Sequence, residues 1–383
     1  MFRTSARTLA VALMRVLPVV EHRNSIPILG CIRLRRETAG HVVLTGTDLD
    51  VQLDVTATVE PVGGEGEIAI DPRRLLAIAR LLPRSDAIEL VIDGEGVVLT
   101  WNGGKARFRG LAASDMPEMV VDGDLAHAAL DAQAGDALRR VQPFISREET
   151  RYYLNGVCID GGAFVATDGH RLAAMPGGET LAALSAQLGD HRPIVPTRTL
   201  GLWLDMAGRG DVAVDFSLNA GCKMRMTAED MVVSSKTIDG TFPPWRRILP
   251  DRSALTQVQL SRHALLRAVG LVSALAARGG AHGMLSFDAG RAQVLAKMLD
   301  DAVAADIGEA PGIAAEVPVN LRYLLHALNA VRGKTVTLWL PDGGHSPFAL
   351  EGSESAPDEH VVIMPLRNLE PVNFRAPELV LAA

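Results

Sequence analysis

The segment "DPRRLLAIARLLPRSDAIELVID", residues 71–93, decides the fold because the chain writes it three times. Its counterparts are "PTRTLGLWLDMAGRGDVAVDFS", residues 196–217, and "NLRYLLHALNAVRGKTVTLWLP", residues 320–341. Arg73, Arg198 and Arg322 fall in register, as do Leu75, Leu200 and Leu324, then Ala79, Leu204 and Leu328. In the first copy Asp71 suits a helix N-cap and Pro72 the first helical position. At 100° per residue Leu75, Ala79 and Leu82 share one face, with Arg73 and Arg80 on the opposite side. The third copy sets Leu324, Leu328 and Val331 against Arg322 and Asn329. Each helix then gives way to period-two alternation from Ile88, Val212 and Val336, which predicts a strand.

A second trio precedes these segments: "ALMRV" from Ala12, "ALRRV" from Ala137 and "ALLRA" from Ala264, each in a stretch of helical periodicity. The repeat period near 125 residues is longer than a solenoid's and marks whole domains. We therefore expect an α+β chain of three similar domains, 1–125, 126–255 and 256–368, with a tail over 369–383. Each domain would run helix, strands, second helix, strands.

The 383 residues suit two or three domains of ordinary size, and 48% hydrophobic with 22% charged residues is a soluble balance. No apolar run reaches the roughly 18 residues of a membrane span. The N-terminal stretch superficially resembles a signal peptide, but Arg15 interrupts it, and it reads as an amphipathic helix of the mature fold. Cys31, Cys158 and Cys222 are far apart and form no CxxC, which argues against a disulfide framework or zinc ribbon and fits a reducing cytoplasm. The ten histidines form no HExxH, and neither GxxxxGK[ST] nor GxSxG occurs.

The formal net charge of −7 argues against whole-surface attraction to nucleic acid. The helices read differently. Arg7, Arg15, Arg73, Arg74, Arg80, Arg139, Arg140, Arg198, Arg262, Arg267, Arg322 and Arg332 face few acids, chiefly Asp131, Asp136 and Asp205. Cationic helices on an anionic protein predict a surface made for phosphate.

The stretch "VATDGHRLAAM", residues 165–175, invites an acid–base reading of Asp168 and His170, as in a hydrolase. The repeat argues against it, because Thr47-Asp48 aligns with Thr167-Asp168 and the first copy has no histidine there. An Asp at a strand end more often accepts backbone N–H bonds in a turn.

"RYYLNGV" (151–157), "ATDGHRLA" (166–173), "SSKTIDGTFPPWRRILP" (234–250) and "VVIMPLR" (361–367) together resemble the bacterial sliding clamps, the β subunits of DNA polymerase III. "RNSIPILG" (23–30), "TGTDLDVQL" (45–53) and "RFRGLAASDMP" (107–117) agree. The resemblance is collinear to about residue 368 and weakest between about 256 and 345.

The resemblance implies a non-catalytic processivity factor without metal or cofactor. Two chains would close a six-domain ring around double-stranded DNA, helices inside and antiparallel sheets outside. The family places DNA contacts at Arg23, Arg73, Tyr152 and Tyr153. It places a hydrophobic pocket for polymerase, clamp-loader and other partner peptides at Leu154, Thr167, Gly169, His170, Arg171, Leu172, Pro243, Arg247, Ile248, Val362, Met364, Pro365, Leu366 and Arg367. His170, Arg171 and Arg247 would sit at its rim and bond peptide carbonyls. Phe108 would meet Leu271 and Val272 of the other chain. The implied location is the cytoplasm, at the nucleoid, with no membrane. The tail "NLEPVNFRAPELVLAA" (368–383) exceeds the family pattern and reads either as a free terminus or as a segment whose Leu379 and Leu381 fold back on the pocket. A housekeeping clamp and a divergent second copy both fit the sequence.

Overall fold

The computed structural model describes residues 1–22, 25–37, 40–219, 223–276, 282–298, 301–341 and 346–367. Arg23, Cys222 and the tail with Leu379 and Leu381 lie outside the described residues.

Seven helices are described: α1 (Ala6–Val16), α2 (Pro72–Leu81), α3 (Ala132–Val141), α4 (Gly178–Leu188), α5 (Thr197–Ala207), α6 (Arg262–Ala276) and α7 (Leu321–Ala330). The "ALxRx" trio lies on α1, α3 and α6, and the segments that open the sequence reading form α2, α5 and α7. Asp71 caps α2 by accepting from Arg73 N at 3.0 Å. Asn320 does the same for α7, accepting from Arg322 N at 3.0 Å and Tyr323 N at 3.3 Å. In the middle copy Pro196 takes the cap position and supplies no side-chain bond. The apolar faces are buried as their spacing requires: Leu75 and Ala79 on α2, and Leu324 and Leu328 on α7 with Val331 just beyond its end. Each such Leu is worth roughly 1.5–3 kcal/mol relative to exposure. The N-terminal stretch folds as α1, its buried stripe running through Leu9, Leu13 and Val16.

The chain packs as two compact units. The first comprises Met1–Gly135 with Ala183–Asp239, the second Asp136–Ala182 with the residues from Gly240 on. The units therefore do not divide at 125 and 255, and each combines a terminal copy of the repeat with part of the middle one.

Sheet pairing explains this. In the first unit one antiparallel sheet orders its strands Leu125–Leu130, Val212–Ser217, Lys223–Ala228, Met231–Lys236, Val51–Thr58, His41–Thr47, Ile32–Glu37 and Glu67–Ile70. The middle copy's Met231–Lys236 thus pairs with the first copy's Val51–Thr58, with Val51 opposite Ser235. A smaller sheet orders Glu60–Pro61, Phe2–Ser5, Ala87–Asp93, Gly96–Trp101 and Gly104–Arg109.

The second unit repeats the join. The third copy's His360–Ile363 pairs with the middle copy's Arg171–Pro176, Arg171 opposite Ile363 and Leu172 opposite Val362. Gly156–Asp160 and Ala163–Thr167 extend this sheet on one side, and Phe348–Gly352, Thr335–Pro341 and Leu255–Ser261 on the other. Its smaller sheet orders Asp301–Glu309, Arg291–Met298, His282–Asp288 and Ala315–Asn320. Backbone ladders run unbroken from copy to copy, so compactness follows the sheets. Among the described residues no helix is long and apolar enough to cross a membrane.

Candidate functional site

The turn at Asp168 is held by its own side chains. Thr167 Oγ1 donates to Arg171 O at 2.7 Å and accepts from Gly169 N at 3.1 Å. Asp168 Oδ1 accepts from His170 N at 3.0 Å and Arg171 N at 3.1 Å, and Oδ2 from Arg171 Nε at 3.0 Å. The first copy builds the same turn: Thr47 Oγ1 accepts from Leu49 N at 3.1 Å, and Asp48 Oδ1 from Asp50 N at 3.0 Å and Val51 N at 2.7 Å. Leu49 and Gly169 share the left-handed backbone position, with φ of 76° and 86°. Asp168 thus spends its carboxylate on the turn and reaches only the backbone of His170.

Arg171 departs from the rim role expected of it. It is only 7% exposed, because its strand position points it beneath the turn. Its NH1 donates to His326 Nδ1 at 2.6 Å and its NH2 to Pro143 O at 2.5 Å. The guanidinium lies between the Phe144 ring at 5.0 Å and the Tyr323 ring at 4.3 Å. Its Nε, NH1 and NH2 each already hold a partner inside the protein. Burial, then the Arg171 and Arg322 charges, hold the His326 imidazole below its ordinary pKa. Phe144, Tyr323 and His326 went unnoticed in the sequence, since only the Arg171–Ile363 ladder brings α7 under this turn.

Met364 N donates to His170 O at 2.8 Å, and Leu366 N to Pro318 O at 2.9 Å. These bonds lay the "MPLR" segment beside the turn. The His170 ring stacks on Tyr323, centroids 6.3 Å apart at 22°. Gly169, His170, Arg247 and Arg367 are exposed, Ile248 is 48% exposed, and Pro243, Met364 and Leu366 are half-buried. Leu154, Thr167, Leu172, Val362 and Pro365 are buried. Leu154, Thr167, Leu172 and Pro365 support the site from within the sheet and loops, Leu172 and Val362 pairing across the inter-copy ladder. A cleft of about 310 Å³ between Leu249, Pro250, Arg252, Ala349, Pro357, His360 and Val361 adjoins the site through Val362.

The helix arginines divide into two groups. Acids on turns, a helix cap and a neighbouring helix meet several of them: Asp230 meets Arg15, Asp48 meets Arg198, Asp136 of α3 meets Arg332, and the cap Asp71 meets Arg73 and Arg74. The expected shortage of acids was read along single helices, whereas folding brings carboxylates from distant segments. Arg7, Arg80, Arg139, Arg267 and Arg322 are exposed and form no salt bridge among the described residues. They sit one each on α1, α2, α3, α6 and α7. Arg73 bonds inward, to Val20 O at 3.3 Å, Glu21 O at 3.0 Å and Gly30 O at 3.4 Å. It anchors the segment that carries Arg23 and has little left for an external ligand.

Tyr152 is 54% exposed and meets half-buried Tyr153 edge-on, centroids 5.9 Å apart at 78°. Phe108 is half-buried on Gly104–Arg109, the last strand of its sheet. Leu271 is 57% exposed, but its neighbour Val272 is fully buried. A helix turns about 100° per residue, so the pair cannot both face outward, and Val272 is not available to another chain.

Repeated helix–strand modules joined edge to edge by antiparallel ladders, with a free arginine on helix after helix, are the architecture of a DNA clamp. Residues 1–120 match the family described as "DNA polymerase III beta subunit, N-terminal domain" and residues 132–244 its "central domain". The "Beta sliding clamp" of Caulobacter vibrioides is 30% identical over 371 residues, spanning 93% of this chain and 96% of the relative. That of Pseudomonas aeruginosa is 28% identical over 383 residues, spanning 96% and 99%. Among solved structures, the Caulobacter crescentus β sliding clamp with bound polyethylene glycol superposes with a TM-score of 0.85 at 28% identity, over 96% of this chain and 98% of that one. The Bartonella birtlesii DnaN sliding clamp bound to griselimycin gives 0.84 at 27% identity, over 96% and 99%. The chain belongs to the bacterial β sliding clamp family, the non-catalytic β subunits of DNA polymerase III.

Proposed function

We propose that two copies of this chain close a ring around duplex DNA in the cytoplasm, at the nucleoid, and that the ring tethers polymerases and other replication proteins. The repeat boundaries at 125, 255 and 368 then mark six domains around the ring. The observation that carries the reading is the exposed arginine on each of α1, α2, α3, α6 and α7 that forms no salt bridge among the described residues. Guanidinium groups on helix surfaces meet phosphates without reading bases, so the contact is independent of sequence and allows sliding. Such contacts alone weaken steeply with salt, and enclosure supplies the retention.

Two strands at sheet ends support ring closure. Gly104–Arg109 carries exposed Lys105, Arg107 and Arg109, and Asp301–Glu309 carries exposed Asp306 and Glu309. Opposite charges on two unpaired edges favour antiparallel pairing between copies. Half-buried Phe108 on the basic strand and Leu271, 57% exposed on α6, which packs on the acidic strand, add apolar surface. Docking falls to exposed His170, Arg247 and Ile248 with half-buried Met364 and Leu366, a surface that suits the Leu or Phe anchors of an extended peptide, Met364 adapting its shape to them.

Loading by a clamp loader onto nicked circular DNA, followed by linearisation, tests the reading. The ring is retained on circles at high salt and lost from the cut ends. Retention that ignores linearisation would overturn it.

A further inference from the structure

The network under the docking turn contains one group that nothing above assigns to partner binding. His326 stands on α7, one turn of helix beyond Arg322, and is half-buried against the turn. Its Nδ1 lies 2.6 Å from Arg171 NH1. A guanidinium has only donors, so Nδ1 must be the acceptor and the ring must be neutral. The other ring nitrogen then carries the hydrogen, and the Pro143 carbonyl that accepts from Arg171 NH2 at 2.5 Å is part of the same cluster. A second proton on Nδ1 would set two cationic donors face to face at hydrogen-bond distance.

We infer that His326 is a positioning residue for partner binding: its neutral imidazole locks Arg171, and through Arg171 the turn Thr167–Arg171, in the form a partner peptide engages. The chain of contacts is short. His326 holds Arg171, Arg171 Nε holds Asp168 Oδ2, and Asp168 Oδ1 fixes the His170 and Arg171 amides. His170 O in turn seats Met364. The turn itself also forms in the first copy, where Val51 takes the Arg171 position, so the guanidinium adds a clamp on the Asp168 carboxylate that the first copy lacks.

The charged and titratable groups facing His326 are Arg171 from the strand, Asp168 from the turn, and Arg322 and Tyr323 from α7. Two cations against one carboxylate, in a half-buried site, disfavour the imidazolium. In acid the ring takes a proton, Arg171 loses its acceptor and the turn loosens. Partner affinity falls with it.

The inference rests on the docking reading above, and the test separates the two. A fluorescein-labelled peptide with Leu and Phe anchors, from a polymerase that binds the clamp, is titrated by fluorescence polarisation at pH 7.5 and 5.5. The wild type should weaken by a few-fold, less than about ten-fold, because a ring held below about 6.5 is only partly protonated at pH 5.5. His326→Asn places an amide oxygen near the Nδ1 position without titrating, and should keep affinity at both pH values. His326→Ala should bind weakly at both. A wild type indifferent to pH overturns the inference, as does His326→Asn following the wild-type profile, which would place the titration at another group. Histidine ¹⁵N NMR reads the ring directly: the Nε2–H tautomer at pH 7.5 is expected, and the Nδ1–H tautomer overturns the inference even where the peptide binds. Absence of peptide binding at pH 7.5 with the expected tautomer present would instead sink the docking reading.

Discussion

Arg140 on α3 grips Glu359 in a two-pronged pair, NH1 to Oε1 at 2.6 Å and NH2 to Oε2 at 2.5 Å, while its Nε donates to Ala330 O at 2.5 Å. Both side chains are almost wholly buried. Removing one partner of a buried pair leaves an uncompensated charge, at a cost of about 3–5 kcal/mol. Glu359→Ala should lower the urea midpoint of the second unit accordingly. Arg3→Ala, which loses only the exposed contact with Glu89, should leave the midpoint almost unchanged.

The twin turns predict opposite responses at equivalent positions. Gly169 has φ of 86°, and a Cβ there would run into the Arg151 guanidinium. Gly169→Ala should destabilise by about 1–3 kcal/mol. Leu49 already bears a side chain at φ of 76°, and Leu49→Gly relieves that strain, roughly 1–2 kcal/mol before the entropy of glycine is counted. Thermal midpoints of the two variants should move in opposite directions.

The division of the arginines predicts the salt dependence of DNA binding. The double variant Arg139→Ala/Arg267→Ala should lower the log–log salt slope by roughly two, one per lost phosphate contact, at unchanged thermal midpoint. Arg198→Ala should change the slope less, because Asp48 already meets that charge.

His326 and His360 are both held below the ordinary histidine value, chiefly by burial and then by Arg171 and Arg252 respectively. The unfolded chain takes up protons first as pH drops below about 6.5, so stability is full above that value. It declines as pH falls towards the lower folded values. Chemical denaturation at pH 8 and 5.5 should show the loss, and His326→Asn/His360→Asn should flatten it. Loss of the carboxylate contribution from Asp251, lowered by its bonds to Ser253, belongs to a separate window below about pH 4.

Gln187 guards a sheet edge. Its side chain accepts from His127 N at 2.9 Å and donates to His127 O at 2.8 Å, occupying both backbone groups on the end strand Leu125–Leu130. Gln187→Ala should raise aggregation on warming, read by light scattering, with little change in secondary structure by circular dichroism.

Local grammar made much of this legible in advance. The cap and the Leu75–Ala79 stripe forecast α2, and the same signs forecast α7. The repeat aligned Thr47-Asp48 with Thr167-Asp168, and one hydrogen-bond pattern does serve both turns. Period, capping and turn chemistry act within a few residues, so the linear order of side chains determines them.

What the linear order could not settle is where each charge goes. Arg139 and Arg140 are adjacent and read alike, yet one is exposed and the other buried against Glu359, 219 residues away. Leu271 and Val272 divide in the same way, and Arg171 turns from the rim into the network of Phe144, Tyr323 and His326. Packing of α6 on its own sheet decided Leu271 and Val272. The ladder between the middle and third copies decided the fates of Arg140 and Arg171, because a strand pairing across about 190 residues fixes which partners a long side chain can reach.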